Sequence, residues 1–230
     1  MKDEGERAER IDLGRPGASA QAEFERRLGQ DAARRRRRFG RVLAPVVAAL
    51  AGVRPSTERW RTGGRAEERV GRLLRDAVAD TGFVLHDLAV PRSRANIDHI
   101  AVVASGVWVV DTKRYRGRVR RARPAGRLLA RRTLVVNGHD RGHLLSAALR
   151  QRALLEAALG PDVTVRAVLC FAGAEWGLLA RPFQLRGVLV TWPAALASSL
   201  RAAGPIDEEA RSDLAARLAQ AFPPYAAVHI

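Results

Sequence analysis

The sequence predicts a mixed α/β domain with one central β-sheet flanked by helices. Three observations predict it. An amphipathic helix pattern precedes three strand-like segments joined by short connections. A second helix pattern, residues 143–159, then separates these from two short, continuously apolar strands of the kind that is buried on both faces. Two further helix patterns follow, so helices bracket strands along the chain.

The elements follow in order. Residues 1–17 are charged, contain Gly and Pro, and are expected to be disordered. Residues 18–39, "ASAQAEFERRLGQDAARRRRRF", have helical composition but are polar nearly all round. "VLAPVVAALAGV" (42–53) is twelve residues long and includes a proline, short of the roughly 20 residues that span a bilayer. It is expected to be buried or interfacial. "GVRPSTERWRTGG" (52–64) is expected to be a linker, with the compact domain starting near Trp60. The expected organisation is a basic, partly helical extension over 1–54 and one domain over 55–230.

In "AEERVGRLLRDAVAD", Val70, Leu73, Leu74 and Ala77 recur at helical spacing. "FVLHDLAV", "NIDHIAVVA" and "GVWVVDTK" are β-branched and apolar, and "GRVRRA" and "RLLARRTLVV" are weaker strand candidates. "HLLSAALRQRALLEAAL" is a helix. "VTVRAVLCFAG" and "GVLVTW" are buried strands. "PAALASSLRAAG" and "DEEARSDLAARLAQAF" are helices, with Pro193 and Asp207 placed where helices start.

Composition narrows the function classes. An apolar content of 47% suits a globular chain. The single cysteine, Cys170, excludes an intramolecular disulfide and favours a reducing compartment. The charged N-terminal residues lack the apolar core of a secretory leader, so a cytoplasmic location is expected. A net charge of +16 raises the local concentration of polyanions and points to nucleic acid or an anionic membrane, while a composition that writes arginine wherever a cation will do accounts for the surplus as well. Of 40 basic residues, only Lys2 and Lys113 are lysines. A chain that otherwise uses arginine keeps at 113 a compact ammonium whose pKa is tunable.

That lysine closes the stretch "NIDHIAVVASGVWVVDTKRYRG" (96–117), where carboxylates sit beside apolar runs. Strand alternation puts Asp98, Ile100 and Val102 on one face, and Val107, Val109, Asp111 and Lys113 on one face. If Ser105 and Gly106 form a two-residue hairpin loop, Ile100 pairs with Asp111 and Asp98 with Lys113. Asp98, Asp111 and Lys113 then converge at one end of the hairpin. In the preceding helix, Glu67 shares a stripe with Val70, Gly71 and Leu74, whereas Glu68 aligns with Arg72 and Arg75, so Glu67 faces inward. Oxygen ligands from Glu67, Asp98 and Asp111, with the carbonyl of Thr112, suit Mg²⁺ or Mn²⁺. Arg114, Arg116, Arg118, Arg120 and Arg121 lie just beyond and are candidates to hold a phosphate backbone. Gln151 falls on the inward stripe of its helix with Leu144, Ala148 and Leu155. Each residue alone has a plain structural reading: Asp98 as a turn cap, Asp111 and Lys113 as a strand-end ion pair, Glu67 at the positive end of its helix.

"GGRAEERVGRLL" followed by "HDLAVPRSRANIDHIAVVASGVWVVDTKRYRG" resembles the nuclease-related domain (NERD) family, a branch of the PD-(D/E)XK superfamily, in the form found in actinobacterial proteins. "RQRALLEAAL" and "VRAVLCFAGAEWGLLARPFQLRGVLVTWPAAL" extend the resemblance to residues 55–203. It implies a PD-(D/E)XK (restriction-endonuclease-like) core, a divalent metal and hydrolysis of DNA. The implied catalytic set is Glu67, Asp98, Asp111, Lys113 and Gln151, with Glu67, Asp98, Asp111 and Thr112 at the metal. The alternative is a weakly active or inactive nuclease-fold module that binds nucleic acid or a protein partner. Oligomeric state is left open, a homodimer included.

Overall fold

The computed structural model describes residues 13–51, 55–93, 95–123 and 132–225, with side chains for all of these but 35, 36, 38–51 and 55–63. The chain runs α1 (Ala18–Ala51), α2 (Pro55–Val78), β1 (Gly82–Ala89), β2 (Asn96–Val103), β3 (Gly106–Lys113), β4 (Val119–Ala122), β5 (Thr133–Val136), β6 (His139–Asp140), α3 (Gly142–Leu159), β7 (Val165–Phe171), β8 (Phe183–Leu185), β9 (Val188–Thr191), α4 (Pro193–Leu200) and α5 (Glu208–Ala221).

One six-stranded mixed sheet, in the order β1-β2-β3-β7-β9-β8, forms the centre. β1, β2 and β3 are antiparallel neighbours, β7 runs parallel to both β3 and β9, and β8 returns antiparallel to β9. A parallel β3–β7 pair needs a long crossover, and the small sheet β4-β5-β6 with α3 supplies it. The β7 segment reads as an unbroken apolar run because both its faces are covered. Val168 and Cys170 face α2 and α4 with Val70, Leu74, Leu196 and Leu200. Ala167 and Leu169 face α3 and α5 with Leu145, Ala148, Leu214 and Leu218. The expected mixed sheet between helices is thus what the chain forms.

The helix starts follow their local chemistry. Pro193 opens α4, and Asp207 accepts the Ala210 N–H at 2.8 Å at the start of α5. Two expectations change. Residues 55–64 are the first turns of α2 rather than linker, and the helix begun at Ala18 continues to Ala51. The side chains of the apolar stretch 42–53, for which burial was expected, lie outside the described residues. A third expectation changes as well: residues 13–17, expected to be disordered with the rest of 1–17, are placed with the start of α1 against the sheet domain. There Leu13 accepts the His86 N–H at 2.7 Å and Ser19 donates its N–H to Asp87, while residues 1–12 lie outside the described residues. Among the described residues no helix is long and apolar enough to cross a membrane.

The hairpin register is a correction. Ala104 and Ser105 form the β2–β3 loop, so Val103 pairs with Gly106 and Ile100 with Val109. The shift from the expected pairing is two residues, and an even shift leaves every side chain on its face. Contacts outside the hairpin set it. Ala104 accepts the Ile206 N–H at 3.1 Å, Val107 donates to the Thr164 carbonyl at 3.0 Å, and Arg166 bonds the Ser105 carbonyl. Gly106 opens β3 at φ +134°, a conformation that favours glycine.

A Cβ at Gly106 would lie 2.8 Å from the Thr164 carbonyl oxygen and 2.6 Å from the Arg166 guanidinium. Gly106→Ala is expected to cost about 1–3 kcal/mol, read as a fall in Tm by thermal denaturation. An unchanged Tm would show that contacts, not glycine, fix this turn.

Candidate active site

The candidate site is a notch where β2 and β3 part. Their pairing ends at His99–Val110. Beyond it, the Thr112 N–H donates to Asp98 Oδ2 at 2.8 Å. A side-chain carboxylate therefore takes the place that a backbone carbonyl holds in a continued ladder. The same register carried one step further sets Asp98 across from Asp111. Both are buried, at 9% and 3% exposure.

The strands also change face here. Ala101 and Val103 belong to the α2 side of the sheet, and Ile100 and Val102 to the α3 side. Strict alternation would send Ile97 to the α2 side, yet Ile97 and its partner Leu88 both lie in the α3-side core. The break falls at Asp98 and at Asp87, which has φ +50°. Aspartate is one of the few side chains that tolerate this left-handed conformation. The notch is consequently open to groups from both layers, Glu67 from α2 and Gln151 from α3.

Charge defines the notch. Lys113 forms an ion pair with Asp111. Burial alone would lower the ammonium's pKa, but the carboxylates of Asp111, Asp98 and Glu67 outweigh it, and the pKa is raised. Asp98 is pushed well above the ordinary carboxylate range by burial, then by the charges of Glu67 and Asp111. Glu67 is raised to about 7 by burial and then by Asp87, with Lys113 opposing. Its Oε2 is buried without a hydrogen-bond partner. One ammonium thus faces more carboxylates than it neutralises, and protons make up the difference.

The oxygen-only set of Glu67, Asp98 and Asp111 fits a hard divalent cation in kind. Among the described residues, no three His, Cys, Asp or Glu side chains are already grouped as a cage. Thr112 is 6% exposed and its Oγ1 has no partner. Gln151 Nε2 reaches the Asn96 carbonyl at 3.4 Å, while its Oε1 is buried and unpartnered. The nearby Arg114, Arg116, Arg118, Arg120 and Arg121 are exposed, with Arg121 set 5.9 Å over the Phe183 ring.

Three contributors went unread in the sequence. Asn96 Nδ2 lies 2.8 Å from Asp87 Oδ1, 3.0 Å from Ser19 Oγ and 3.5 Å from Asp98 Oδ1. Asp87 in turn accepts the Ser19 N–H at the start of α1. The only sequence signal was an aspartate inside an apolar strand, the same anomaly that marked Asp98 and Asp111. His86 and His99, both fully buried, oppose each other with Nδ1 atoms 3.0 Å apart. Neither ring's Nε2 has a hydrogen-bond partner.

Residues 62–172 match the family model described as NERD, nuclease-related domain. No curated protein and no solved structure matches the chain.

Glu67 carries a pH signature. Its pKa rises from an ordinary 4.5 to about 7 on folding. Between these values the folded state binds the extra proton, so stability falls as pH climbs through that window and levels off above it. Metal-free Glu67→Gln is expected to show a shallower dependence, the remainder coming from Asp98, and to melt several degrees higher than wild type at pH 8. Thermal melts from pH 4.5 to 8 test it; parallel wild-type and variant curves would show that Glu67 titrates normally.

Proposed function

Residues 62–172 belong to the nuclease-related domain family, and on that premise we propose that the protein is a divalent-metal-dependent nuclease that hydrolyses DNA phosphodiester bonds. The observation that carries the reading is the β2–β3 notch, where Asp98, Asp111, Glu67 and Lys113 act on one another's charge. Carboxylates buried in one-sided excess are costly, and a bound cation offsets that cost.

Glu67, Asp98 and Asp111, with the Thr112 carbonyl, would hold Mg²⁺ or Mn²⁺, which supplies Lewis-acid polarisation of the phosphate and a more acidic bound water. The chain's own groups do the rest. Asp98 is fixed by the Thr112 N–H, so one of its oxygens is oriented before anything binds. Lys113, released from Asp111, places an ammonium beside the phosphate to stabilise charge developing on its oxygens. Gln151 presents an unpartnered amide oxygen from α3, suited to hold a water or a ligand group in place. Arg114, Arg116, Arg118 and Arg120 would contact phosphates without reading sequence. The cytoplasm is the location this reading favours, where the buried, unpaired Cys170 stays reduced.

A second reading has one observation in its favour. The Lys113 ammonium already neutralises Asp111, as in a module that binds nucleic acid or a protein partner and cuts slowly or not at all.

Incubation with single- and double-stranded DNA, with Mg²⁺, Mn²⁺ or EDTA, separates the two. Cleavage is expected only with metal, and Asp111→Ala and Lys113→Ala are each expected to lower it at least about a hundredfold. Mg²⁺ is also expected to raise the wild-type Tm at pH 8 and leave that of Asp111→Ala unmoved. Cleavage that persists in EDTA or in Asp111→Ala would refute the site. Binding without cleavage, with no thermal response to either metal, would establish the second reading.

A further inference from the structure

β7 ends at Phe171, the residue paired with Lys113, and Ala172 donates its N–H to the Lys113 carbonyl at 2.9 Å. The following segment therefore leaves the sheet at the same strand ends that carry the notch. It then runs beside the arginine-rich segment: the Glu175 N–H donates to the Gly117 carbonyl at 3.0 Å, and the Glu175 backbone pairs parallel with that of Arg118. Trp176 roots it, with its ring 4.8 Å from Trp192 and 6.5 Å from Phe183, the ring that Arg121 covers.

Beyond that root the chain makes a tight turn, closed by the Ala180 N–H on the Gly177 carbonyl at 2.8 Å. The two corner residues are Leu178 and Leu179, 106% and 95% exposed. The other exposed large apolar residues among those described, Leu28 and Leu154, reach only 36% and 40%. Corners of tight turns usually carry Gly, Pro, Asn, Asp or Ser. Here two leucines project fully from an aromatic-anchored base, and a Cβ added at Gly177 would meet nothing within 4 Å. Arg181 follows, exposed.

We propose that the Gly177–Ala180 turn is an apolar wedge that enters a base step of duplex DNA lying across the strand ends that carry the notch, with Leu178 and Leu179 as the inserted side chains. The proposal rests on the nuclease reading for the identity of the polyanion. Three features favour this occupant. The segment that carries the turn leaves the sheet beside Lys113 and passes the arginine-rich segment before Trp176 roots it on Phe183 and Trp192. The exposed cations beside it, Arg114, Arg116, Arg118, Arg120 and Arg181, match a phosphate backbone. Two side chains are also too small a patch for a stable protein interface, which buries about 800 Å² on each partner. Proteins that kink DNA use Leu, Ile or Phe in this way, and a kink bends the duplex so that its backbone can approach a recessed site. A tip already ordered by Trp176 spends no binding energy on folding itself.

The test uses the full chain in EDTA with duplexes carrying 2-aminopurine at successive positions. Wild-type protein is expected to raise the fluorescence severalfold at one or two steps. Leu178→Ser/Leu179→Ser is expected to abolish that rise and weaken binding roughly tenfold, with Tm unchanged because both side chains are exposed. Equal affinity and an equal rise in the variant would overturn the wedge, as would a flat signal from the wild type. So would loss in the variant of self-association by sedimentation, or of binding to anionic vesicles, with no fluorescence rise in either protein. Cleavage in Mg²⁺ is scored separately: cutting without a rise removes the wedge alone, and a rise without cutting in any metal removes the nuclease reading alone.

Discussion

The hydrogen bond from the Thr112 N–H to the Asp98 carboxylate is the constraint on which the site depends. Two strands that stop pairing expose backbone donors and acceptors, and leaving these buried and unbonded is costly. Asp98 resolves that cost with its own side chain. In doing so it is locked as an ionisable group among apolar residues, the one place where such a group is hardest to keep charged. The separation of the strands and the placement of the carboxylate are one event, not a fold with a site added to it.

What surrounds the notch follows from that event. Once the strands part, the faces are no longer strictly assigned, and Glu67 and Gln151 can approach from opposite layers. Asp87 accommodates the change of face with its left-handed backbone, then uses its carboxylate twice, on Asn96 and on the Ser19 N–H. The second bond places a negative group at the N-terminal end of α1, where the helix dipole favours it. The basic helix is thereby tied to the strand beside the site through one aspartate. The start of α1, Asp87 and Asn96 next to Asp98 thus belong to one hydrogen-bonded network.

The fold was legible because its signals are periodic. Valines and isoleucines at strand spacing, Val70 and Leu74 at helical spacing, and the twin apolar runs of β7 and β9 each carry a pattern that survives without tertiary knowledge. The inward stripe of α2 separated Glu67 from Glu68 for the same reason. What was not legible depended on partners distant in sequence. The β2–β3 turn is set by Thr164, Arg166 and Ile206, none of which lies near residues 104–106 in the chain. The start of α2 was hidden because Pro55, Thr57, Thr62, Gly63 and Gly64 are poor helix formers. Asp87 and Asn96 gave no motif, since their roles come from a backbone conformation and from Ser19, 68 residues from Asp87. The expected pairing of Ile100 with Asp111 and of Asp98 with Lys113 was off by two residues, an even error that keeps the faces of β2 and β3 in step up to His99.

The persistence of a lysine at 113 is explained by the space it must share. A guanidinium is planar, holds its charge at any accessible pH, and binds a carboxylate through a fixed fork. In a notch bounded by Asp98, Asp111 and Glu67, such a fork would tie two oxygens at once and hold them away from any cation. An ammonium is a point charge on a flexible stem. It neutralises Asp111 through one contact and, on the metal-dependent reading proposed above, could swing aside for a cation without breaking a bidentate pair. The exposed arginines from 114 onward face no such requirement, since none of them is enclosed by buried carboxylates. A chain with 40 basic residues, all but two of them arginine, therefore departs from arginine within its folded domain at the position where releasing a carboxylate matters more than gripping it.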